Sequence, residues 1–301
     1  MVSVFSSQQV FSQTTICVHL CLFSNIISDY SGGGIFINNT VSSVFFNLLS
    51  FISCSSMNNL TIGQRVVGGG AYAVDSMNFM SKCLLIDNCF CIGDGSGFYS
   101  RSNLSCSHHY NQSTFSNIPN YGRCVGHIDR GDIVSSSVNS SKSGPKDFSG
   151  IVFGNRYQNT VHCTFCYSTN NYNNCPFYAH STLNTGYISH INIINNTVNG
   201  TSLHSFYLDL PFEVHYGAFF GNGYCGYCKS SLTMYHCQTD NSSFISTNVT
   251  LVSCSVSVLT ESTFAMQSLE CIPYAECLYT SKPRLLFNSP IVFLTNILFK
   301  L

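Results

Sequence analysis

Gly32-Gly33-Gly34-Ile35-Phe36 and Gly68-Gly69-Gly70-Ala71-Tyr72 share one pattern, three glycines followed by an apolar residue and an aromatic. Gly95-Ser96-Gly97-Phe98-Tyr99 is a third relative. With 22 Gly in 301 residues, composition alone supplies roughly 0.1 triple-glycine runs, so two with the same sequel mark a repeat. A second mark recurs at a near-constant distance after each glycine run: Phe51-Ile-Ser53-Cys54, Ile86-Asp-Asn88-Cys89 and Phe115-Ser-Asn117-Ile118. Phe23-Ser-Asn25-Ile26 precedes the first of them. The spacing of the marks gives a unit of roughly 27–28 residues, with an insertion of about eight after Cys54, and fixed periods of this size signal repeat architectures. In such folds each unit covers its neighbour's apolar face.

Each clear unit reads as three short strands. One follows the glycines (Ile35-Phe-Ile37), a second is the apolar run Val44-Phe-Phe-Asn-Leu-Leu49, and a third ends in the Asn mark. Three strands in a unit of this length fit one coil of a right-handed parallel β-helix. Glycine at the first corner accepts positive φ. Asparagine at the second tolerates the left-handed region and can hydrogen-bond its own turn, and stacked Asn side chains can form ladders. The repeat-defining residues are thus Gly32, Gly33, Gly34, Gly68, Gly69, Gly70, Gly95 and Gly97, with Asn25, Asn88 and Asn117. We expect one all-β domain over residues 1–301, with the clearest repeats at 23–126 and degenerate coils at 150–301. Between them the polar, low-complexity run Val134-Ser-Ser-Ser-Val-Asn-Ser-Ser-Lys-Ser-Gly-Pro-Lys146 predicts a protruding loop or insertion over 127–149. Beyond 150, alternation persists: Val252, Cys254, Val256 and Val258 fall on one side of a strand and Ser253, Ser255 and Ser257 on the other, the period of a half-buried strand.

Charged residues make up only 8% of the chain and the net charge is −1. That argues against nucleic acid as a partner, which demands clustered Lys and Arg. Hydrophobic content of 45% argues against disorder. No apolar run reaches the ~18 to 20 residues of a membrane span. No basic N-terminal region of a secretory signal precedes Ile16-Cys-Val-His-Leu-Cys-Leu-Phe23. Neither end reads as a polar cap, which leads us to expect a fragment.

The paired marks resemble the right-handed parallel β-helix repeats of large surface proteins, and most closely the polymorphic-outer-membrane-protein-like family of trichomonad parasites. The resemblance is strongest over residues 23–126. It implies a cell-surface or secreted, non-enzymatic adhesion role with host-cell proteins or glycans as partners, and no cofactor.

Seventeen cysteines admit two uses: disulfides in an oxidising compartment or small buried apolar groups in a reducing one. Cys54 and Cys89 alternate with Ile26 and Ile118 at one repeat position, which favours packing there. Cys163-Thr-Phe-Cys166 and Cys225-Gly-Tyr-Cys228 have the spacing of zinc ligand pairs, but they lie too far apart in the chain for a zinc ribbon. Arg130-Gly131-Asp132 spells a tripeptide read by adhesion receptors, set against a bland reading as a solvated turn. Nine Asn-x-Ser/Thr sequons occur where composition predicts about six. Asn139, Asn38 and Asn59 are the glycosylation candidates, with Asn139 the most accessible if 127–149 is a loop. The alternatives are a carbohydrate-active β-helix enzyme, a polysaccharide lyase or hydrolase with Asp129 and Asp132 as its two carboxylates, or a fragment with no independent function.

Overall fold

A computed structural model of the chain describes most of residues 15–256, together with residues 292–293. The described residues are all-β: twenty strands form one large sheet and no helix occurs among them. Every pairing in the large sheet is parallel; apart from Val292–Phe293, which lies against Ile16 and Cys17 of the first strand, strands pair about one repeat apart along the chain. Thr15 pairs with Ser43, Phe79 with His108 and Ile133 with Val161. The step along the chain shortens towards the end, where Phe212 pairs with Leu232 and Leu232 with Val249. Between neighbouring repeats it is longest where Ile35 pairs with Tyr72. The surplus there holds a small antiparallel hairpin, Thr61–Ile62 against Arg65–Val66, where the sequence places its insertion.

Long strands such as Ile35–Ile52 and Tyr72–Asp87 stay within the fold because single residues bend them. One column of bends comprises Leu20, Leu48, Cys83, Gln112, Ser137, His190, Tyr216, His236 and Ser253, all with φ between 52° and 56°. A second comprises Asn25, Ser53, Asn88, Asn117, Lys142 and Asn195, with φ between 50° and 54°. Gly32, Gly69 and Gly95 also have positive φ, and the glycine runs lie directly on one another. Gly33 donates its N–H to Gly69 O, and Gly69 to Gly95 O, at 3.1 and 2.9 Å. A Cβ on Gly33 would strike the Gly70 carbonyl.

Between bends, side chains alternate inward and outward. The inward aromatics pack as a continuous stack through Phe46, Tyr72, Phe79, Phe98 and Phe115, with ring centroids 4.7 to 5.7 Å apart. Each such side chain, fully withdrawn from water, contributes roughly 1.5–3 kcal/mol. Tyr72 and Tyr110 are buried with it and join their hydroxyls at 3.4 Å.

The residue after a second-column bend points inward, and its side chain meets the preceding repeat. Cys89 Sγ accepts from Cys54 N, Ser143 Oγ from Ile118 N, Asn171 Oδ1 from Ser143 N, Asn196 Oδ1 from Asn171 N and Asn222 Oδ1 from Asn196 N, at 2.9 to 3.3 Å. Cys, Ser and Asn thus do the same job: each captures a backbone N–H at a bend. The buried asparagine ladder consists of Asn171, Asn196 and Asn222, whereas Asn25, Asn88 and Asn117 stand one position earlier, exposed, on the bends themselves.

One expectation is overturned. The described part of 127–149 is not a protruding loop: Cys124–Asp129 and Asp132–Ser141 are strands of the large sheet, while residues 145–147 lie outside the described residues. The second pairs on both sides, with Ser107–Ser116 and Val161–Thr169. Ile133, Ser135, Val138 and Ser140 point inward and are buried. For Ser135 the neighbouring repeat supplies a partner, Cys163 Sγ at 3.1 Å from its Oγ, whereas Ser140 Oγ has none among the described residues.

Candidate functional site

Among the described residues, three charges line up across the strands Tyr72–Asp87, Phe98–Ser102 and Cys124–Asp129. Asp75 lies opposite Arg101, which lies opposite Asp129. The Arg101 guanidinium meets Asp75 at 2.8 Å and Arg123 meets Asp94 at 3.1 Å. Burial raises the Asp75 carboxyl above its ordinary value, outweighing the opposing pull of Arg101 and Arg130. Tyr99 and His127 pack beside the column with ring centroids 5.4 Å apart. Alternating signs along a half-exposed column make an ion ladder, worth about 1 kcal/mol per pair or less.

This ladder absorbs several residues singled out by sequence. Asp129 is buried beside Arg101, whereas Asp132 is exposed opposite Ser107 on the next strand. The carboxylate pair of the enzyme alternative is therefore split between a buried and an exposed group. Arg130, Gly131 and Asp132 form a tight turn rather than part of an open loop. Arg130 and Gly131 both have positive φ, Gly131 is buried against Ser102 and Cys106, and the Asp132 N–H donates to Cys106 O at 2.7 Å. Arg130 also acts electrostatically on Asp75. The tripeptide is thus held by the sheet on both sides.

Asn139 sits in the middle of a paired strand, half-buried, with its Oδ1 shut away from solvent and without a hydrogen-bond partner among the described residues. Its predicted accessibility on a loop is therefore corrected. Asn38 is exposed on Ile35–Ile52, and Asn59 lies outside the described residues. Cys163 and Cys228 are buried, and Cys225 lies outside the described residues. Among the described residues no three His, Cys, Asp or Glu side chains converge as metal ligands would.

The most distinctive surface was not singled out in the sequence. Three successive strands, Gly186–Ile194, Phe212–His215 and Leu232–Tyr235, with the bend residues His190, Tyr216 and His236, carry an outward array. Its rows read Tyr187, Ser189, His190; Glu213, His215, Tyr216; Thr233, Tyr235, His236, with Ser189 itself buried. The bend rings stack: His190 on Tyr216 at 5.1 Å and 27°, Tyr216 on His236 at 5.4 Å and 14°. Beside them His215 stacks on Tyr235 at 4.5 Å and 17°, and Tyr187 lies 5.2 Å from His215. Short polar contacts fix the imidazoles, with Ser189 Oγ 2.9 Å from His190 Nδ1 and Glu213 Oε2 3.4 Å from His215 Nε2. Rings stacked along the direction of strand pairing turn their edges outward. Tyrosine hydroxyls and imidazole nitrogens, rather than flat ring faces, are what this array offers. The signal was present as period-two alternation, but each repeat contributes only one row of the three.

Comparison with known proteins returns no match: no family model, no curated protein and no solved structure matches the chain. No helix among the described residues is long and apolar enough to cross a membrane.

Proposed function

We propose that the chain is a right-handed parallel β-helix of a cell-surface or secreted kind, acting as a non-enzymatic module that contacts host glycans or proteins. Three features support the β-helix. Register partners recur one repeat apart, bends recur in columns, and parallel crossovers are right-handed in nearly all known sheets. The observation that carries the binding role is the His/Tyr array. It places hydroxyl, imidazole and carboxylate groups on a grid about 4.8 Å apart across the strands, with little net charge. A grid of mixed donors and acceptors suits a polymer that carries hydroxyl groups at short, regular intervals. An extended glycan is therefore the favoured occupant. The resemblance of the glycine and asparagine marks to trichomonad surface proteins points the same way.

The test is binding of the purified chain to a panel of polysaccharides and to fixed epithelial cells, beside a variant carrying Tyr216→Ala and His236→Ala. Both residues are outward, so the variant should keep the parent's thermal midpoint within a few degrees while losing at least tenfold in apparent affinity. Equal binding by the two proteins would remove the array from the account, and no binding by the parent at micromolar concentration would remove the function.

A further inference from the structure

Two pairs of cysteines stand on neighbouring repeats at the same kind of position. Cys54 and Cys89 follow the bend residues Ser53 and Asn88, and Cys237 and Cys254 follow His236 and Ser253. The register sets each pair directly opposite. Ile52 pairs with Asp87 and Ser55 with Phe90 on either side of the first; Tyr235 pairs with Val252 and Gln238 with Ser255 on either side of the second. In both, the first cysteine's backbone N–H donates to the second's Sγ, at 3.3 Å for Cys54 and 3.4 Å for Cys237. Directly paired parallel residues are about 4.8 Å apart, inside the ~4.4–6.8 Å Cα separation that a disulfide spans.

Other cysteines face different partners. Cys17 lies opposite Phe45, Cys21 opposite Leu49, and Cys163 between Ser135 and Ile188. Cys83 Sγ contacts Gln112 Oε1 at 3.2 Å.

We propose that Cys54–Cys89 and Cys237–Cys254 are disulfide sites, each cross-linking two adjacent repeats when the chain meets a low-molecular-weight disulfide. One thiolate attacks the small disulfide, forming a mixed disulfide and releasing one small thiol. The second cysteine's thiolate then displaces the other small thiol and closes the cross-link. Two protein thiols give up two electrons and two protons, and the small disulfide takes them up as two thiols.

The two sites differ in when they react. In the first, the hydrogen bond with Cys89 lowers the folded-state Cys54 thiol and burial pushes Cys89 up. Both are completely buried, and this cross-link closes while the repeats are still assembling. In the second, burial pushes Cys237 up to about 12, whereas Cys254 is only partly buried. Cys254 meets the small disulfide first, and this cross-link closes in the folded chain.

The experiment uses the full chain and glutathione disulfide. One sample is refolded from denaturant in a glutathione redox buffer, and another is folded reduced and then exposed to glutathione disulfide. Each is alkylated, digested without reduction and mapped by mass spectrometry. Refolding should give both cross-links and exposure of the folded chain only Cys237–Cys254, with Cys17, Cys21, Cys83 and Cys163 alkylated in both. Cys89→Ser keeps a side-chain acceptor for the Cys54 N–H. It should retain a β-sheet circular-dichroism spectrum, leave Cys54 alkylated and preserve the second cross-link. Linkage of Cys54 or Cys237 to any other cysteine, or alkylation of all four after oxidative refolding, overturns the proposal.

Discussion

His108 shows how one residue sets a property of the whole chain. It is completely buried, with Nδ1 3.0 Å from Ser100 Oγ and Nε2 without a well-aligned hydrogen-bond partner among the described residues. Burial pushes it down to about 4, against an opposing pull from the backbone of Asp129 and Arg130. The unfolded chain binds the proton near pH 6.5, whereas the folded chain does not until pH falls to about 4. The stability His108 contributes is therefore complete above about 6.5 and is lost as pH falls towards 4, a total of roughly 3 kcal/mol. Urea denaturation at pH 7, 5.5 and 4.5 should show this slope, and His108→Gln should flatten it. An unchanged slope in the variant would place the acid sensitivity elsewhere. At the same scale, the sequence was readable where chemistry forces a residue type. Asn25, Asn88 and Asn117 adopt the left-handed region that asparagine tolerates. Leu20, Leu48 and Gln112 adopt it too, at about 1–2 kcal/mol each, and nothing in their chemistry announces it. Their conformation is imposed by the stack of bends above and below.

At the scale of the element, Asp132–Ser141 is the instructive strand. Its serines carry the composition of a loop, yet their positions carry the period of a strand. Composition was the weaker guide, because the partner of inward Ser135 is Cys163 of a neighbouring repeat, which a reading of one segment cannot see. Ser135 faces inward at 1% exposure, and Ser136 beside it is only partly buried. Ser135→Asp should therefore destabilise the chain by about 3 kcal/mol or more, the consequence of an unpaired carboxylate in the interior. Ser136→Asp should cost less than about 1 kcal/mol. Thermal melts of the two variants decide it, and equal midpoints would return this segment to a loop. The His/Tyr array escaped the sequence for a related reason. Tyr187, His215 and Tyr235 fall at unequal intervals along the chain, in repeats whose lengths differ, so no fixed period brings them together. Only the register does.

For the whole molecule, the claim on which the rest depends is that repeats stack in parallel and in register from one end to the other. The outward column Met80, His109, Val134, His162, Tyr187, Glu213, Thr233, Thr250 runs through seven successive strand pairings. It holds the array, and it passes through both the clear repeats and the degenerate ones, where sequence marks had faded. The most direct measurement is an electron–electron dipolar distance between spin labels at Met80 and Thr250, both exposed. The labels should be attached through a ketone-bearing amino acid so that the native cysteines are left alone. Seven spacings of about 4.8 Å predict a single narrow distance of about 34 Å, shortened by about 14 Å when the first label moves to His162. A broad distribution, or a distance that does not shorten with that move, would contradict the stacked architecture and the binding face built on it.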